Sequence, residues 1–327
     1  MLRNGGVPEI PSIFVERPQC VKKLQEALYQ LEEDIGWVVI HGMVGSGKTL
    51  LSAHSLKNET LVHSCFPGGI FWVSVGKVDD AILLMKMQNL CHWLDTDGLY
   101  RTPKNLEESR DRLRILFSLE HPKSLLILDD VWSDDVLKYF DVKTKTLLIT
   151  RNPSIANSIS SGNITKLHIT ETLTLSQSQK LLSSWTGIEI SSLPEEAVTI
   201  FNQCKGSPLA ISMIGALLKG HKNRWSYYVK QLNEQNISKV KSKLSYEYGS
   251  LHDAFAVSFD NLSEELQNQF EMLSVFRENV GIPAKTLSIL WDCDVCFFLL
   301  IKFYSSSSYC SIIFSLFQFF VIEMMRR

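Results

Sequence analysis

The chain has 327 residues, a formal net charge of −2 and a hydrophobic fraction of 45%. This length allows two or three domains, because one domain usually takes about 100–200 residues. The balanced charge argues against a broad electrostatic interaction with nucleic acid or anionic lipid. The seven cysteines are scattered and odd in number, which favours reduced thiols. The N-terminal segment MLRNGGVPEIPS has no apolar run of signal-peptide length, so we expect a cytoplasmic protein.

The first half of the chain alternates short apolar runs with helical patterns. Residues 19–34 repeat apolar side chains at helical spacing, which predicts a helix with one buried stripe. Further helical patterns begin near Lys48 and cover residues 81–94 and 106–117. The apolar runs between the helices predict five strands, the first two of them buried: WVVIHG, GGIFWVSVG, SLLILDD, KTLLITR and KLHIT. This alternation predicts an α/β fold over residues 1–170, with a parallel sheet and helices on both faces.

The strand pattern ends after residue 170. Helical patterns in SQSQKLLSSW, PEEAVTIFNQC, SPLAISMIGALLKG and RWSYYVKQLNEQ predict a helical domain at 171–252. More helical patterns at 253–292 predict the start of a third domain. The remaining residues, 293–327, form an atypical apolar tail that Lys302 and a run of serines interrupt. We expect this tail to be a read-through or alternatively spliced end, with a membrane anchor as the alternative.

The segment GMVGSGKT matches the G-x-x-x-x-G-K-[ST] pattern of a phosphate-binding loop. Its glycines let the backbone curl so that successive amide groups point into one concavity, and the helix that follows adds a partial positive charge. We expect Lys48 to neutralise the β- and γ-phosphates and Thr49 to offer its hydroxyl to Mg²⁺. A plain glycine-rich turn is the alternative. The predicted nucleotide-binding residues of this segment are Gly42, Gly45, Gly47, Lys48, Thr49 and Leu50.

Two other strand ends carry polar residues that suit a nucleotide site. In LLILDDVW, we expect Asp129 to hold Mg²⁺ and Asp130 to orient or deprotonate an attacking water. A solvated turn or a helix cap is the alternative for this pair. Arg151, at the end of LLITR, can contact the terminal phosphate and report its presence. A surface arginine paired with a neighbouring carboxylate is the alternative there. No Asn-Lys-x-Asp guanine motif occurs, which favours adenine.

The segments GMVGSGKT, LLILDDVW, LLITR and GSPLA, in this order and spacing, resemble the NB-ARC module of the STAND ATPases, or AP-ATPases. Stretches such as FPGGIFWVSVGK and RWSYYVKQL are similar to the apoptosis-activator branch of that family, over about residues 6–292. The resemblance implies a P-loop NTPase fold followed by a helical and a partial winged-helix domain, the latter at 253–292. It also implies that adenine lies against FVER, with Val15 and Arg17, and that Pro208 packs on the base.

The resemblance further implies a switch that holds ADP in a closed state. Exchange for ATP or dATP opens it and permits assembly with homologous NB-ARC chains. Contacts with caspases and cytochrome c belong to the family's recruitment and sensor domains, which we expect this chain to lack. Slow ATP hydrolysis remains open. The alternatives are a turnover ATPase, for which no LSGGQ-like motif is present, and a tail-anchored membrane adaptor with vestigial nucleotide binding.

Overall fold

The computed structural model of the protein describes most of the first 233 residues. The described ranges are 4–31, 35–43, 45–95, 98, 101–169, 172–220 and 223–233, with isolated helical residues at 264, 268, 272, 289 and 290. The chain divides into two compact units, Met1–Glu171 and Thr172–Arg327. The predicted winged-helix segment at 253–292, apart from those isolated residues, and the apolar tail at 293–327 lie outside the described residues.

The first unit is built on a six-stranded parallel sheet. The strands are β1 (Asn4–Gly5), β2 (Gly36–His41), β3 (Ile70–Ser74), β4 (Leu125–Val131), β5 (Lys145–Thr150) and β6 (Asn163–His168). Their order across the sheet is β1-β3-β4-β5-β2-β6, and the neighbouring strands pair in parallel. The five strands predicted from apolar runs are therefore confirmed, and β1 is an addition that extends one edge.

Helices connect the strands as parallel pairing requires. They are α1 (Pro18–Tyr29), α2 (Lys48–Ser55), α3 (Glu59–Cys65), α4 (Asp80–Leu94), α5 (Leu106–Ile115) and α6 (Leu137–Phe140). A π-helical turn at Leu116–Glu120 continues α5. The predicted helix at residues 19–34 ends earlier, at Tyr29, and those near Lys48 and over 81–94 begin within one residue of the predicted positions.

The strands β2 to β5 are buried on both faces. Alternate side chains of each strand point to opposite faces and enter two apolar clusters. One apolar cluster contains Val38 and Ile40 of β2 and packs against α1, α2 and α3. The other contains Trp37 and Val39 of the same strand and packs against α4, α5 and α6. The prediction of helices on both faces of a parallel sheet is confirmed.

The second unit, in its described part, is helical. Its helices are α7 (Leu175–Thr186), α8 (Glu196–Cys204), α9 (Pro208–Gly220) and α10 (Trp225–Asn233). Thr174 and Gln177 form a reciprocal capping box at the start of α7. Gly215 lets α9 approach α7 closely, since a Cβ there would lie 2.7 Å from the Trp185 ring. None of the helices in the described ranges combines the length and apolar character needed to cross a membrane.

Candidate functional site

The predicted site residues of the first unit lie at the carboxyl ends of three neighbouring strands. β4, β5 and β2 are adjacent in the sheet, and they end at Val131, Thr150 and His41. The loop from β2 into α2, the two aspartates that close β4 and the arginine after β5 therefore converge. The carboxyl edge of a parallel sheet is where doubly wound folds bind their ligands.

The glycines of the loop adopt backbone conformations that other residues disfavour. Gly42, Gly45 and Gly47 have φ values of +153°, +71° and +78°. A Cβ at Gly42 would lie 2.6 Å from the carbonyl oxygen of Ile169, and one at Gly47 would lie 2.9 Å from the Arg17 guanidinium. The backbone thus curls between β6 and Arg17 in a way that only glycine permits.

The first turn of α2 is suited to an anion. The three helices that follow in the chain show the contrast: side chains of Asn58, Asp79 and Asn105 accept hydrogen bonds from the first turns of α3, α4 and α5. α2 instead begins after Gly47, which has no side chain to serve as a cap. Its first amide groups and its dipole are therefore directed at the loop, where a phosphate can accept those hydrogen bonds.

Lys48 is buried within this loop. Its ammonium group donates hydrogen bonds to the carbonyl oxygens of Gly42 and Met43, both at 2.8 Å. Burial, followed by the positive charge of Arg151, lowers the pKa of Lys48 to about 8. A lysine has three donors, so this arrangement fixes the ammonium at the mouth of the loop while one donor stays available to an anion.

Thr49 and Asp129 form the part of the site that suits a magnesium ion. The Thr49 hydroxyl donates to Asp129 Oδ1 at 3.1 Å, although the two residues belong to different elements. Burial raises the pKa of Asp129 to about 6, because the charged carboxylate is disfavoured there. A hydroxyl and a buried carboxylate side by side are oxygen ligands of the kind that Mg²⁺ prefers, and a cation would stabilise the charged carboxylate. The residues present therefore fit the ion.

Asp130, Trp132 and Arg151 form a closed cluster beside Lys48. Arg151 Nε lies 3.4 Å from Asp130 Oδ1, and the Trp132 indole donates to Asp130 Oδ2 at 3.0 Å. The guanidinium carbon lies 4.1 Å from the centre of the Trp132 ring, which is a cation–π contact. The pairing of Arg151 with a neighbouring carboxylate, weighed above as an alternative, is present. Trp132 is a site residue that the sequence analysis did not identify.

The predicted adenine segment lies against the same loop and helix. Arg17 is buried, and its Nη2 donates to the carbonyl oxygen of Gly47 at 3.5 Å, so its charge lies at the phosphate loop. On either side of the partly buried Val15, Phe14 contacts the His54 ring at 5.0 Å and Glu16 lies 3.5 Å from His54 Nε2. These contacts attach the segment to α2. Leu50 lies in the first turn of α2, and Pro208 is the first residue of α9 in the second unit.

Two histidines stack beside the loop. His41 and His168 end the paired strands β2 and β6, and their rings lie 4.6 Å apart at an angle of 8°. Burial is the largest influence on both, with His168, Lys166 and Lys48 adding repulsion at His41. The pKa of His41 falls to about 4, and that of His168 is also lowered.

The depressed pKa of His41 predicts a loss of stability in acid. Between pH 6.5 and pH 4 the unfolded chain binds a proton that folded His41 does not, so the free energy of unfolding falls as the pH falls through this window. The loss reaches about 3 kcal/mol at its lower end. Replacing His41 with phenylalanine should flatten the profile over this range in urea denaturation at stepped pH. The same change at the exposed His63 should leave the slope as it is, and equal slopes in wild type and His41→Phe would contradict the prediction.

Comparison with known proteins identifies the family. A family model described as the NB-ARC domain matches residues 17–189. The chain is 44% identical to apoptotic protease-activating factor 1 of Homo sapiens over 296 residues, which are 90% of this chain and 24% of that protein. It is 28% identical to a probable disease resistance protein of Arabidopsis thaliana over 310 residues, covering 90% of this chain and 33% of the relative. The chain thus spans about a quarter to a third of the length of these relatives.

A solved STAND protein with a tetratricopeptide repeat sensor, from Pyrococcus horikoshii, is similar at 17% identity and a TM-score of 0.43. That match covers 98% of this chain and 44% of the other. The NB-ARC match and the apoptotic relatives support a nucleotide-dependent switch of the STAND class. The NB-ARC model matches more than half of the chain, and the chain therefore belongs to the NB-ARC family.

Proposed function

We propose that this chain is an adenine-nucleotide switch of the apoptosis-activator type, which holds ADP in a closed state and exchanges it for ATP or dATP. The observation that carries the proposal is the convergence of Lys48, Asp129 and Arg151 at the ends of three adjacent strands. Each of the three supplies a different requirement of a nucleoside polyphosphate: a buried ammonium, a metal-binding carboxylate and a guanidinium.

The loop would bind the β-phosphate, which ADP and ATP share. α2 begins at Lys48 without a side-chain cap, so its first amide groups and its dipole are directed at the loop, where the Lys48 ammonium is held by the Gly42 carbonyl oxygen. Arg17 adds a second positive charge beside Gly47. Thr49 and Asp129 would hold Mg²⁺, which neutralises phosphate charge when bound. Val15 would lie at the base, on a segment that Phe14 and Glu16 fix to α2.

The terminal phosphate would be read by Arg151. In the structure this guanidinium is paired with Asp130, and its charge is the strongest single charge acting on Lys48. A third phosphate group brings oxygens that compete with the Asp130 carboxylate for the guanidinium, since arginine pairs with phosphate as readily as with carboxylate. ADP lacks these oxygens. The state of the Arg151–Asp130 pair would therefore depend on which nucleotide is bound, as a switch requires.

The hydrogen-bond and ion-pair partners of the Asp130 carboxylate favour a switch over a turnover ATPase. Both of its carboxylate oxygens have partners, Arg151 on one and Trp132 on the other. A general base must be within hydrogen-bond reach of the water it activates and able to accept its proton. A carboxylate held on both oxygens is poorly placed for that role. Hydrolysis would then be slow and limited by release of this cluster.

The assembly and the cellular location that we propose are based on the apoptotic relatives. We propose that the open state assembles with homologous NB-ARC chains and that the protein acts in the cytoplasm, where the buried thiols of Cys65, Cys91 and Cys204 would stay reduced. The chain itself would contribute the nucleotide-dependent step.

Phosphate release under single- and multiple-turnover conditions tests the switch. The full chain is incubated with Mg²⁺ and labelled ATP, first with the chain in excess and then with ATP in large excess. We expect at most about one phosphate per chain in the first minutes, followed by a rate far below the median enzyme turnover of about 10 s⁻¹. The nucleotide that remains bound should be ADP. Sustained release of many phosphates per chain at enzyme-like rates would instead identify a turnover ATPase.

A further inference from the structure

We infer that Trp132 is the positioning residue for Arg151, and that through this contact it sets how strongly the site prefers ATP to ADP. The inference rests on the proposed function, because it assigns the regulation of the same site to a residue for which neither phosphate binding nor metal binding is proposed. Trp132 would touch neither phosphate nor metal and would act only by holding the guanidinium and the carboxylate that Arg151 pairs with.

Trp132 makes two contacts of different kinds within the cluster. Its ring face supports the Arg151 guanidinium at 4.1 Å, and its indole N–H donates to Asp130 Oδ2 at 3.0 Å. The third side of the triangle is the ion pair from Arg151 Nε to Asp130 Oδ1 at 3.4 Å. Stacking on one face and pairing at one edge both restrict the orientations that a planar cation can adopt. The triangle therefore fixes both the place and the plane of the guanidinium.

The backbone explains why Trp132 lies over Arg151. The pairing of β4 with β5 is regular up to Leu128 and resumes at Val131, with a bulge between them where Asp130 takes a left-handed conformation at φ +55°. The Thr150 hydroxyl then donates to the carbonyl oxygen of Val131 at 2.8 Å. That bond joins the residue before Arg151 to the residue before Trp132. A bulge of this kind redirects the following side chain, and here it places the indole across the strand end.

The arrangement matters for nucleotide choice because it removes freedom from Arg151 before a ligand arrives. The Arg151 side chain is 16% exposed and that of Asp130 is 41% exposed, so the guanidinium is largely shielded from solvent while the carboxylate is partly exposed. A pre-positioned guanidinium loses less conformational entropy when it binds a phosphate oxygen. The gain applies only to a nucleotide that reaches Arg151 with a terminal phosphate. ADP binding, which depends on the loop, should not sense Trp132.

The test compares ATP and ADP affinities of the full chain in four variants, using calorimetry with Mg²⁺ present. Trp132→Phe keeps an aromatic face and loses the indole donor, and Trp132→Leu loses both. Arg151→Ala alone and combined with Trp132→Leu completes a double-mutant cycle. Trp93→Leu is the matched control, because Trp93 is a half-exposed tryptophan of α4 near Gly6. ADP affinity serves in each variant as the check that the site is folded.

We expect the ratio of ATP to ADP affinity to fall about fivefold in Trp132→Leu and about twofold in Trp132→Phe, with ADP affinity unchanged. In the Arg151→Ala background, Trp132→Leu should change nothing further. If Trp132→Leu fails to fold, the smaller shift in Trp132→Phe and its absence in Trp93→Leu still decide the matter. An unchanged ratio in both Trp132 variants overturns the inference alone. A wild-type chain that binds neither nucleotide overturns the proposed function as well.

Discussion

Replacing Lys48 with methionine is expected to lower the affinity of the chain for both ADP and ATP by about 100-fold or more. The ammonium would contribute charge-assisted hydrogen bonds to phosphate, each worth about 1.5–3 kcal/mol. Stability should respond in the opposite sense. Burial lowers the pKa of Lys48 to about 8, which shows that the charged form is unfavourable in this environment. Methionine keeps the unbranched stem without the charge, so the melting temperature without nucleotide should be unchanged or higher.

Calorimetric titration and thermal unfolding of the same preparations measure the two effects separately. Lys57→Met is the matched control. Lys57 is exposed just after α2, so this substitution removes the same charge from the protein surface. That variant should bind nucleotide like the wild type. If Lys48→Met retained wild-type affinity, the loop would not be the phosphate site. A large fall in its melting temperature would show instead that Lys48 has a mainly structural role through Gly42 and Met43.

Replacing Gly42 with alanine is expected to reduce the free energy of unfolding by about 2–4 kcal/mol and to abolish tight nucleotide binding. The added Cβ would lie 2.6 Å from the carbonyl oxygen of Ile169, which is main chain and cannot rotate away. The φ of +153° at Gly42 adds backbone strain. Relief would require the end of β2 to move from the chain after β6, which would displace the loop and the Lys48 ammonium with it.

Gly76→Ala is the control for this prediction, because Gly76 also has a positive φ, +67°, but nothing lies within 4 Å of the position of its Cβ. It should lose only the strain contribution, about 1–2 kcal/mol, and keep nucleotide affinity. Urea denaturation of both variants gives the difference, which isolates the clash with Ile169. Equal destabilisation by the two substitutions would mean that the backbone at Ile169 yields easily and that the loop tolerates a side chain.

The strands that the sequence predicts correctly are those whose physical signal is local. The four runs that form β2 to β5 are buried along almost their whole length, so continuous hydrophobicity is sufficient to identify them. β6 lies at the edge of the sheet with mostly exposed side chains, and its short apolar run is a weaker signal. β1 has no such signal, because Asn4–Gly5 pairs with β3 through its backbone over only two residues. α3 and α6 are also short, and their helical period spans too few residues to stand out.

The site shows a similar division. The spacing of the loop motif predicts roles for Lys48 and Thr49 at a phosphate site, and the structure places Asp129 beside Thr49, at the strand end where the sequence predicts it. From the sequence, Asp130 is expected to orient or deprotonate a water and Arg151 to contact the terminal phosphate, as two separate roles. Their mutual pairing depends on the bulge in β4, which leaves no pattern in the sequence. Trp132 was missed for the same reason.

The sequence contains a pattern from which the stacking of His41 and His168 could be predicted. Two of the predicted strands, WVVIH and KLH, contain a histidine at or near their ends, and parallel neighbours that end together bring such residues side by side. Predicting the contact also requires the order of the strands in the sheet, because β6 pairs with β2 in the register that aligns His41 with His168. Side-chain geometry across strands follows from sheet order, which the amino-acid sequence specifies only indirectly.

Hydrogen–deuterium exchange with and without ADP and Mg²⁺ tests most directly the claim that the loop between β2 and α2 holds the nucleotide phosphates. The account predicts slower exchange in peptides that cover residues 42–51 of the wild type, and no such change in Lys48→Met at the same ADP concentration. Nucleotide binding that leaves the exchange of residues 42–51 unchanged, with protection confined to other parts of the chain, would contradict it.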